Sequence, residues 1–476
     1  MERAQEFDLV ILGAGPAGVQ AATVAGYFGK RVALVDPRSE VGGALVNTGT
    51  LPSKTLRETA LTLSGVRSRR LQVDVVLKRE ATVADFLRHE RSVAKAERAR
   101  MGAQLDEAGV RRFTGAGRFA DPHTIEVRPV AGTAGEPLRL RGEVIFIATG
   151  SSPARPPEFP FEHPRIYDSD EILSLNGMPR SLAVIGAGVI GSEYACTFAA
   201  LGVDVHLIDG RDVLLPFLDR ELSTALAAAL ADNGIHFRWK ERVSACHAPQ
   251  RGDIRLELDS GASLAVDAVL VAGGRRSNTD DLALERAGLK TLERGLIAVD
   301  EDYRTAVPHV FAVGDVIGFP ALASTSQEQA RLAACIALSL PYKREISALL
   351  PSGIYTIPEA SAVGATEEQL KERGEAYVVG RARYENNPRG AIIGDRQGFL
   401  KLLFRRSDMK LLGVHVMGEL ATEIVHVGMM TMLCGGGAEE LNHACFNLPT
   451  LCDLYKAATY RAQIRRDRPD LIAEGA

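Results

Sequence analysis

Two glycine fingerprints of one design constrain this chain more than any other feature. The first, Gly13-Ala14-Gly15-Pro16-Ala17-Gly18, follows the apolar run Leu9-Val10-Ile11-Leu12. The second, Gly186-Ala187-Gly188-Val189-Ile190-Gly191, follows Leu182-Ala183-Val184-Ile185. Each is succeeded by another apolar run ending in an acid, Asp36 or Asp209, and both acids stand 18 residues past their last glycine. Each position has a physical reason. The first glycine permits a tight turn, the second lets backbone approach a pyrophosphate, and the third lets the following helix pack on the strand. The helix N-terminus then offers free N–H groups and the positive end of its dipole to phosphate, and the acid can bind ribose hydroxyls. One copy can arise from packing alone; two copies, each with its acid, point to two dinucleotides meeting in one chain, and so to hydride transfer.

The rest of the composition excludes more than it proposes. The chain has 476 residues, enough for roughly three domains. Its formal net charge of −4 gives no reason to expect nucleic acid or an anionic membrane as partner. The basic run Arg67-Ser68-Arg69-Arg70 reads as a solvated surface. No apolar run approaches the ~20 residues a bilayer span needs, and residues 1–7 lead into the first strand with no secretory signal, so a cytoplasmic protein is expected. The six cysteines (Cys196, Cys246, Cys335, Cys434, Cys445 and Cys452) include no C-x-x-C pair and none in the first 195 residues. Reduced thiols are expected, with the nearest pair, Cys445 and Cys452, buried or incidental.

Along the chain, residues 7–35 read as strand–helix–strand, 83–109 as a helix, and 110–147 as strands with turns at Asp121-Pro122 and near Gly132–Gly135. Val144–Gly150 is a buried strand closing on glycine, and the proline-rich stretch 153–157 reads as a linker. Residues 180–274 repeat the strand–helix–strand theme, and Val310–Asp315 is a further buried strand ending in an acid. From about 345, alternating runs such as Phe399–Phe404 predict an antiparallel sheet followed by helices. The expected class is α/β: two Rossmann-like dinucleotide-binding domains plus an α+β C-terminal dimerisation domain. The expected boundaries are residues 1–150 with 275–345 for one dinucleotide domain, 151–274 for the other, and 346–476 for the last.

A more specific resemblance rests on Gly42-Gly43-Ala44-Leu45-Val46-Asn47-Thr48-Gly49-Thr50-Leu51-Pro52-Ser53-Lys54, Ala148-Thr149-Gly150, Gly273-Gly274-Arg275-Arg276, Ala312-Val313-Gly314-Asp315 and Tyr355-Thr356-Ile357-Pro358-Glu359. With both fingerprints, these markers resemble the flavoprotein family of dihydrolipoamide dehydrogenase and glutathione reductase over nearly the full length. The departures narrow it. The family's disulfide reductases carry G-G-x-C-x-x-x-x-C, where this chain has Leu45 and Thr50. They place a histidine and a glutamate near the C-terminus, where this chain has Leu448 and Asp453. Neither leucine nor threonine can act as a redox thiol. One branch is similar in this respect, the soluble FAD-containing pyridine nucleotide transhydrogenases of the Si-specific type. It is also similar at His163–Asp170, Ser352–Glu359 and Phe446-Asn447. Typical members keep the first of the two cysteines.

The resemblance implies FAD as cofactor, NAD and NADP as substrates, and a homodimer or higher homo-oligomer whose C-terminal unit completes the partner's flavin site. It implies that Gly13, Gly15, Gly18, Asp36, Gly43, Thr50, Thr149, Gly150, Gly314 and Asp315 hold FAD. Gly186, Gly188, Gly191, Asp209 and Gly274 would hold the nicotinamide coenzyme, with Ile190 as a gate. Lys54 would pair with Glu193 near the flavin ring, although either could be an ordinary helix-surface charge. The run from Ala323 to Gln329 reads as a helix start, capped by Thr325 with Glu328 or Ser326 with Gln329. Its dipole would favour negative charge on the reduced ring, or it is simply a capped helix. Arg211 is a cation for a 2′-phosphate or a solvated loop residue. Three functions compete: hydride transfer between NADPH and NAD⁺; NAD(P)H-dependent reduction of quinones, dyes or oxygen; and a catalytically silent nucleotide-sensing flavoprotein.

Overall fold

A computed structural model describes residues 4–73, 82–130, 132 and 135–468. The strand Gln5–Leu12 is central to the first sheet because Leu9 to Leu12 are apolar on both faces, and all four are buried. Parallel neighbours flank it, Val32–Asp36 on one side and Leu138–Ile147 on the other. Arg111–Thr114 extends the sheet beyond Val32–Asp36, and Val310–Ala312 lies parallel to the end of Leu138–Ile147. The strands Thr124–Arg128 and Ala116–Asp121 complete it in antiparallel sense. Helices Pro16–Tyr27, Val83–Glu107 and Ala323–Ala337 bury small side chains of one core against this sheet. The long helix starts where Thr82 and Asp85 cap each other's backbone N–H groups (3.2 and 3.0 Å).

The second sheet repeats the plan with five parallel strands, in the order Ile235–Trp239, Asp204–Asp209, Ser181–Ile185, Ala268–Val271, Ile166–Asp168. A three-stranded antiparallel meander, Val243–His247 to Ser263–Val266, covers one face. Of the stretch read as a linker, 153–157, only Pro153 belongs to a strand. Ser151–Pro153 pairs antiparallel with Arg275–Ser277, so the chain enters and leaves this unit through a two-stranded ribbon. A third, all-antiparallel sheet runs Ser352–Ile354, Ala360–Gly364, Leu411–Met417, Phe399–Arg405, Tyr377–Arg383. Helices Ala421–Leu433 and Leu454–Asp467 pack against it. The class is α/β, with two doubly wound units and an α+β C-terminal unit.

The second and third units meet on a buried charge cluster. Lys401, wholly inaccessible, places its ammonium 2.6 Å from Asp219, 2.6 Å from Glu367 and 3.0 Å from Glu221. Asp219 caps helix Arg220–Asp232 and Glu367 opens helix Glu367–Glu372. Burial alone would raise the three carboxyls, but His415 and Lys401 beside Asp219, Arg381 and Lys401 beside Glu221, and Lys401 and Tyr377 beside Glu367 outweigh it and hold all three low. From the basic run, Arg67 and Arg70 reach Glu419 at 2.9 and 3.2 Å, with Arg67 still exposed to solvent. Among the described residues no helix is long and apolar enough to cross a membrane.

Candidate active site

The first fingerprint forms the floor of a cleft of ≈ 630 Å³. Gly13, Gly15, Asp36, Gly43, Thr50, Thr149, Gly150, Gly314, Asp315 and Ala323 all line it. The three glycines divide their work. A Cβ on Gly13 would lie 2.3 Å from the carbonyl oxygen of Ala148, and one on Gly18 would lie 1.8 Å from that of Gly13. Those two glycines serve the fold, and Gly18 does not reach the cleft. A Cβ on Gly15 would meet nothing nearer than 3.9 Å, and one on Gly150 nothing within 4 Å. Those side-chain positions are open cleft. Helix Pro16–Tyr27 starts at Gly15 with no side-chain cap, leaving its first N–H groups for an anion. Asp36 accepts the N–H of Ala14 at 2.7 Å and of Arg38 at 2.8 Å, which fixes its carboxylate at the rim with two acceptor sites unused. Asp315 is fixed too: Arg275 donates to the Ser151 hydroxyl (2.8 Å), which donates to Asp315 (2.7 Å).

The second fingerprint repeats this geometry. A Cβ on Gly186 would lie 2.7 Å from the Ala272 carbonyl oxygen and one on Gly191 1.9 Å from that of Gly186, whereas Gly188 and Gly274 have nothing within 4 Å. Helix Val189–Ala200 starts at Gly188, again uncapped by any side chain, with Ile190 partly buried on its first turn. The Ala187 N–H donates to Asp209 at 2.7 Å, matching Ala14 and Asp36. Here the two sites part. Arg211 grips Asp209 through Nε (2.8 Å) and one Nη (2.6 Å), so Arg211 is not merely a solvated loop residue. Burial would raise the Asp209 carboxyl, but the Arg211 side chain and the N–H groups of Arg211 and Ala187 outweigh it and hold it at about 2.

Lys54 and Glu193 join the two sites. Helix Thr50–Leu63 carries Lys54 one turn beyond Thr50, and Lys54 pairs with Glu193 on helix Val189–Ala200. Glu193 is 6% exposed and also accepts the Tyr355 N–H at 2.9 Å, while the Tyr355 ring lies 5.0 Å from the ammonium. These are not surface charges.

One expectation fails. No capping box opens the helix at Ala323. Its N-cap is Leu322, Thr325 and Ser326 are buried within the first turn, Gln329 accepts the Gly314 N–H at 2.9 Å, and Glu328 pairs with Arg331 and Lys343. The helix end therefore reaches the cleft with its N–H groups free of any side-chain cap. Of the closest pair of cysteines, Cys445 is exposed and Cys452 is half-buried against the C-terminal core. Asp170 and Asn278 line the cleft without having been given a role, and Ser326, read as a cap, lines it too. Burial raises the Asp170 carboxyl against the pull of Arg275, 3.5 Å away. Asp170 ends the run His163–Asp170 and Arg275 sits in Gly273–Arg276, so the signal was present but carried no role.

Residues 7–330 match the family described as pyridine nucleotide-disulphide oxidoreductase, and residues 350–459 match its dimerisation domain. A protein of Mycobacterium bovis (strain BCG / Pasteur 1173P2) named soluble pyridine nucleotide transhydrogenase is 46% identical, covering 95% of this chain and 96% of its own. One of the same name from Pseudomonas putida (strain KT2440) is 42% identical, covering 95% and 97%. Among solved structures, LpdA from Mycobacterium tuberculosis superposes with a TM-score of 0.88 at 26% identity, covering 96% and 99%. The HOCl-induced flavoprotein disulfide reductase RclA from Escherichia coli gives 0.85 at 27%, covering 95% and 99%.

Proposed function

Since the chain belongs to the pyridine nucleotide-disulphide oxidoreductase family, we propose that it is a transhydrogenase of the Si-specific type: NADPH and NAD⁺ become NADP⁺ and NADH, with FAD as resident cofactor. The residues of the first cleft fit that cofactor: open glycine positions, an uncapped helix start and an anchored acid with acceptor sites to spare. When bound, FAD supplies the two-electron carrier that one coenzyme reduces and the other reoxidises.

The chain's own residues do the rest. Gly13, Gly15, Gly18, Gly43, Thr149, Gly150 and Gly314 shape the FAD cleft, Asp36 takes the ribose hydroxyls, and Asp315 faces the ribityl–phosphate region. Gly186, Gly188, Gly191 and Gly274 shape the coenzyme path, and Ile190 gates it. Lys54, held by Glu193, keeps a cation where charge changes, and the start of the helix at Ala323 adds a dipole. A homodimer built on the C-terminal unit completes each site. The observation that carries this reading is the pairing of two alike nucleotide sites with a cleft wall that offers Leu45 and Thr50 where a thiol relay would stand.

The test is hydride transfer from NADPH to thio-NAD⁺ by the purified yellow protein. Formation of thio-NADH is the expected result. Quinone reduction by NADPH with no thio-NADH would overturn the proposal in favour of a general reductase.

A further inference from the structure

The two acids that close the two fingerprints are equivalent in sequence but not in chemistry. A carboxylate offers about four acceptor sites. Asp36 has two taken, by the N–H groups of Ala14 and Arg38. Asp209 accepts four hydrogen bonds: Ala187 N–H (2.7 Å), Arg211 N–H (2.9 Å), Arg211 Nε (2.8 Å) and Arg211 Nη2 (2.6 Å). No acceptor site remains for a ribose diol while Arg211 stays in place.

The same place carries an uncommitted positive charge. Arg211 is 46% exposed on its side chain, and its Nη1 makes no hydrogen bond among the described residues. Arg242 reaches in from the connection just before the strand Val243–His247. Its Nε lies 2.8 Å from where a Cβ on Gly210 would stand, so its guanidinium lies directly over the Gly210 backbone. It is exposed and has no carboxylate partner among the described residues. Lys240, next to it, is neutralised by Asp212 at 3.2 Å. The segment is pinned by backbone bonds from Lys240 to Arg211 (3.0 Å) and from Glu241 to Asp209 (3.2 Å), which fix both arginines on either side of Gly210. Asp209 is neutralised by Arg211 and Lys240 by Asp212, and Glu241 Oε2 accepts the Ser260 N–H (3.3 Å), so Arg242 is the one guanidinium of this segment with no ion pair among the described residues.

We propose that this is a 2′-phosphate cradle with a movable arm. Arg242 and the free edge of Arg211 take the 2′-phosphate of NADP(H) as the site stands, and NAD(H) binds only when Arg211 swings off Asp209 and frees the carboxylate for the ribose diol. Arg211 is thus the arm that lets one site serve both coenzymes in turn. This rests on the reading of the second fingerprint as the coenzyme site.

The test is calorimetric titration of the flavin-containing protein with ADP and with 2′,5′-ADP. Both arginines are exposed, so their replacement does not threaten the fold. Arg242→Ala weakens 2′,5′-ADP by about tenfold or more, the size of a lost hydrogen bond to a charged group, with a smaller change for ADP. Arg211→Ala moves the two ligands in opposite directions, weakening 2′,5′-ADP and tightening ADP severalfold. Equal losses for both ligands in either variant, or an ADP affinity untouched by Arg211→Ala, overturn the cradle. Neither ligand carries a nicotinamide, so the outcome is independent of whether thio-NADH forms in the hydride-transfer assay.

Discussion

Substituting alanine at single glycines of the second fingerprint separates the fold from the site, and the structure sets the size of each effect. At Gly191 the new methyl would lie 1.9 Å from the Gly186 carbonyl oxygen, which is backbone and cannot step aside. Overpacking of that kind costs about 1–3 kcal/mol or more, so Gly191→Ala melts earlier and loses coenzyme binding with its fold. At Gly188 the backbone is extended (φ −76°, ψ −177°) and nothing lies within 4 Å of the new carbon. Alanine there suits the backbone and narrows the unfolded ensemble, which stabilises by roughly 0.4–1 kcal/mol. The same methyl occupies the space beside the uncapped helix start and keeps a pyrophosphate off it. One or more charge-assisted hydrogen bonds are lost, about 1.5–3 kcal/mol each, or roughly tenfold to a hundredfold in affinity. The assay is paired: thermal melting, and the NADPH concentration that half-maximally bleaches the bound flavin. Gly188→Ala should melt at or slightly above the wild-type temperature while needing far more NADPH. If it melts as early as Gly191→Ala, or bleaches at wild-type concentrations, the division of labour between the glycines is wrong.

Two further outcomes follow from the buried charges. Lys401→Met leaves Asp219 without an ion-pair partner among the described residues and Glu367 with only Lys371 (3.8 Å) and Arg381 (4.0 Å), and should cost about 3–5 kcal/mol, seen as a lower melting temperature at neutral pH. The three carboxyls are held low, so their contribution is present above the ordinary carboxylate range and is lost as pH falls through it. Wild type should therefore lose stability below about pH 4, while Lys401→Met should regain some there as Asp219 and Glu367 protonate; parallel pH profiles would refute the assignment. Lys54→Met should keep its flavin but be reduced by NADPH about a hundredfold more slowly, the scale for losing one preorganised charge partner. Glu193→Gln, which can still accept the Tyr355 N–H, should be less impaired. Reduction of Lys54→Met at the wild-type rate removes that lysine from the chemistry.

What could be read from the chain alone was whatever is local. Each fingerprint packs a turn, a helix start and a partner acid into a short span, so both strand–turn–helix turns were legible, as was the α/β class. The capping boxes near Thr325 were misread for a related reason: the run Ala323–Gln329 has the right residues, but Leu322 precedes it and the hydroxyls turn inward. Contacts that span the chain left no local signal. Lys401 finds Asp219 across 182 positions, and the ribbon joins Ser151–Pro153 to Arg275–Ser277 from opposite ends of the second unit. The most instructive case is the pair Asp36 and Asp209. Spacing makes them identical, and even their bonds to Ala14 and Ala187 agree at 2.7 Å. The difference lies in what each neighbour two residues on does with its side chain: Arg38 lends Asp36 only its backbone N–H, whereas Arg211 closes over Asp209 with its guanidinium. A motif therefore fixes where its acid stands, and the side chain two residues on decides how many acceptor sites that acid keeps.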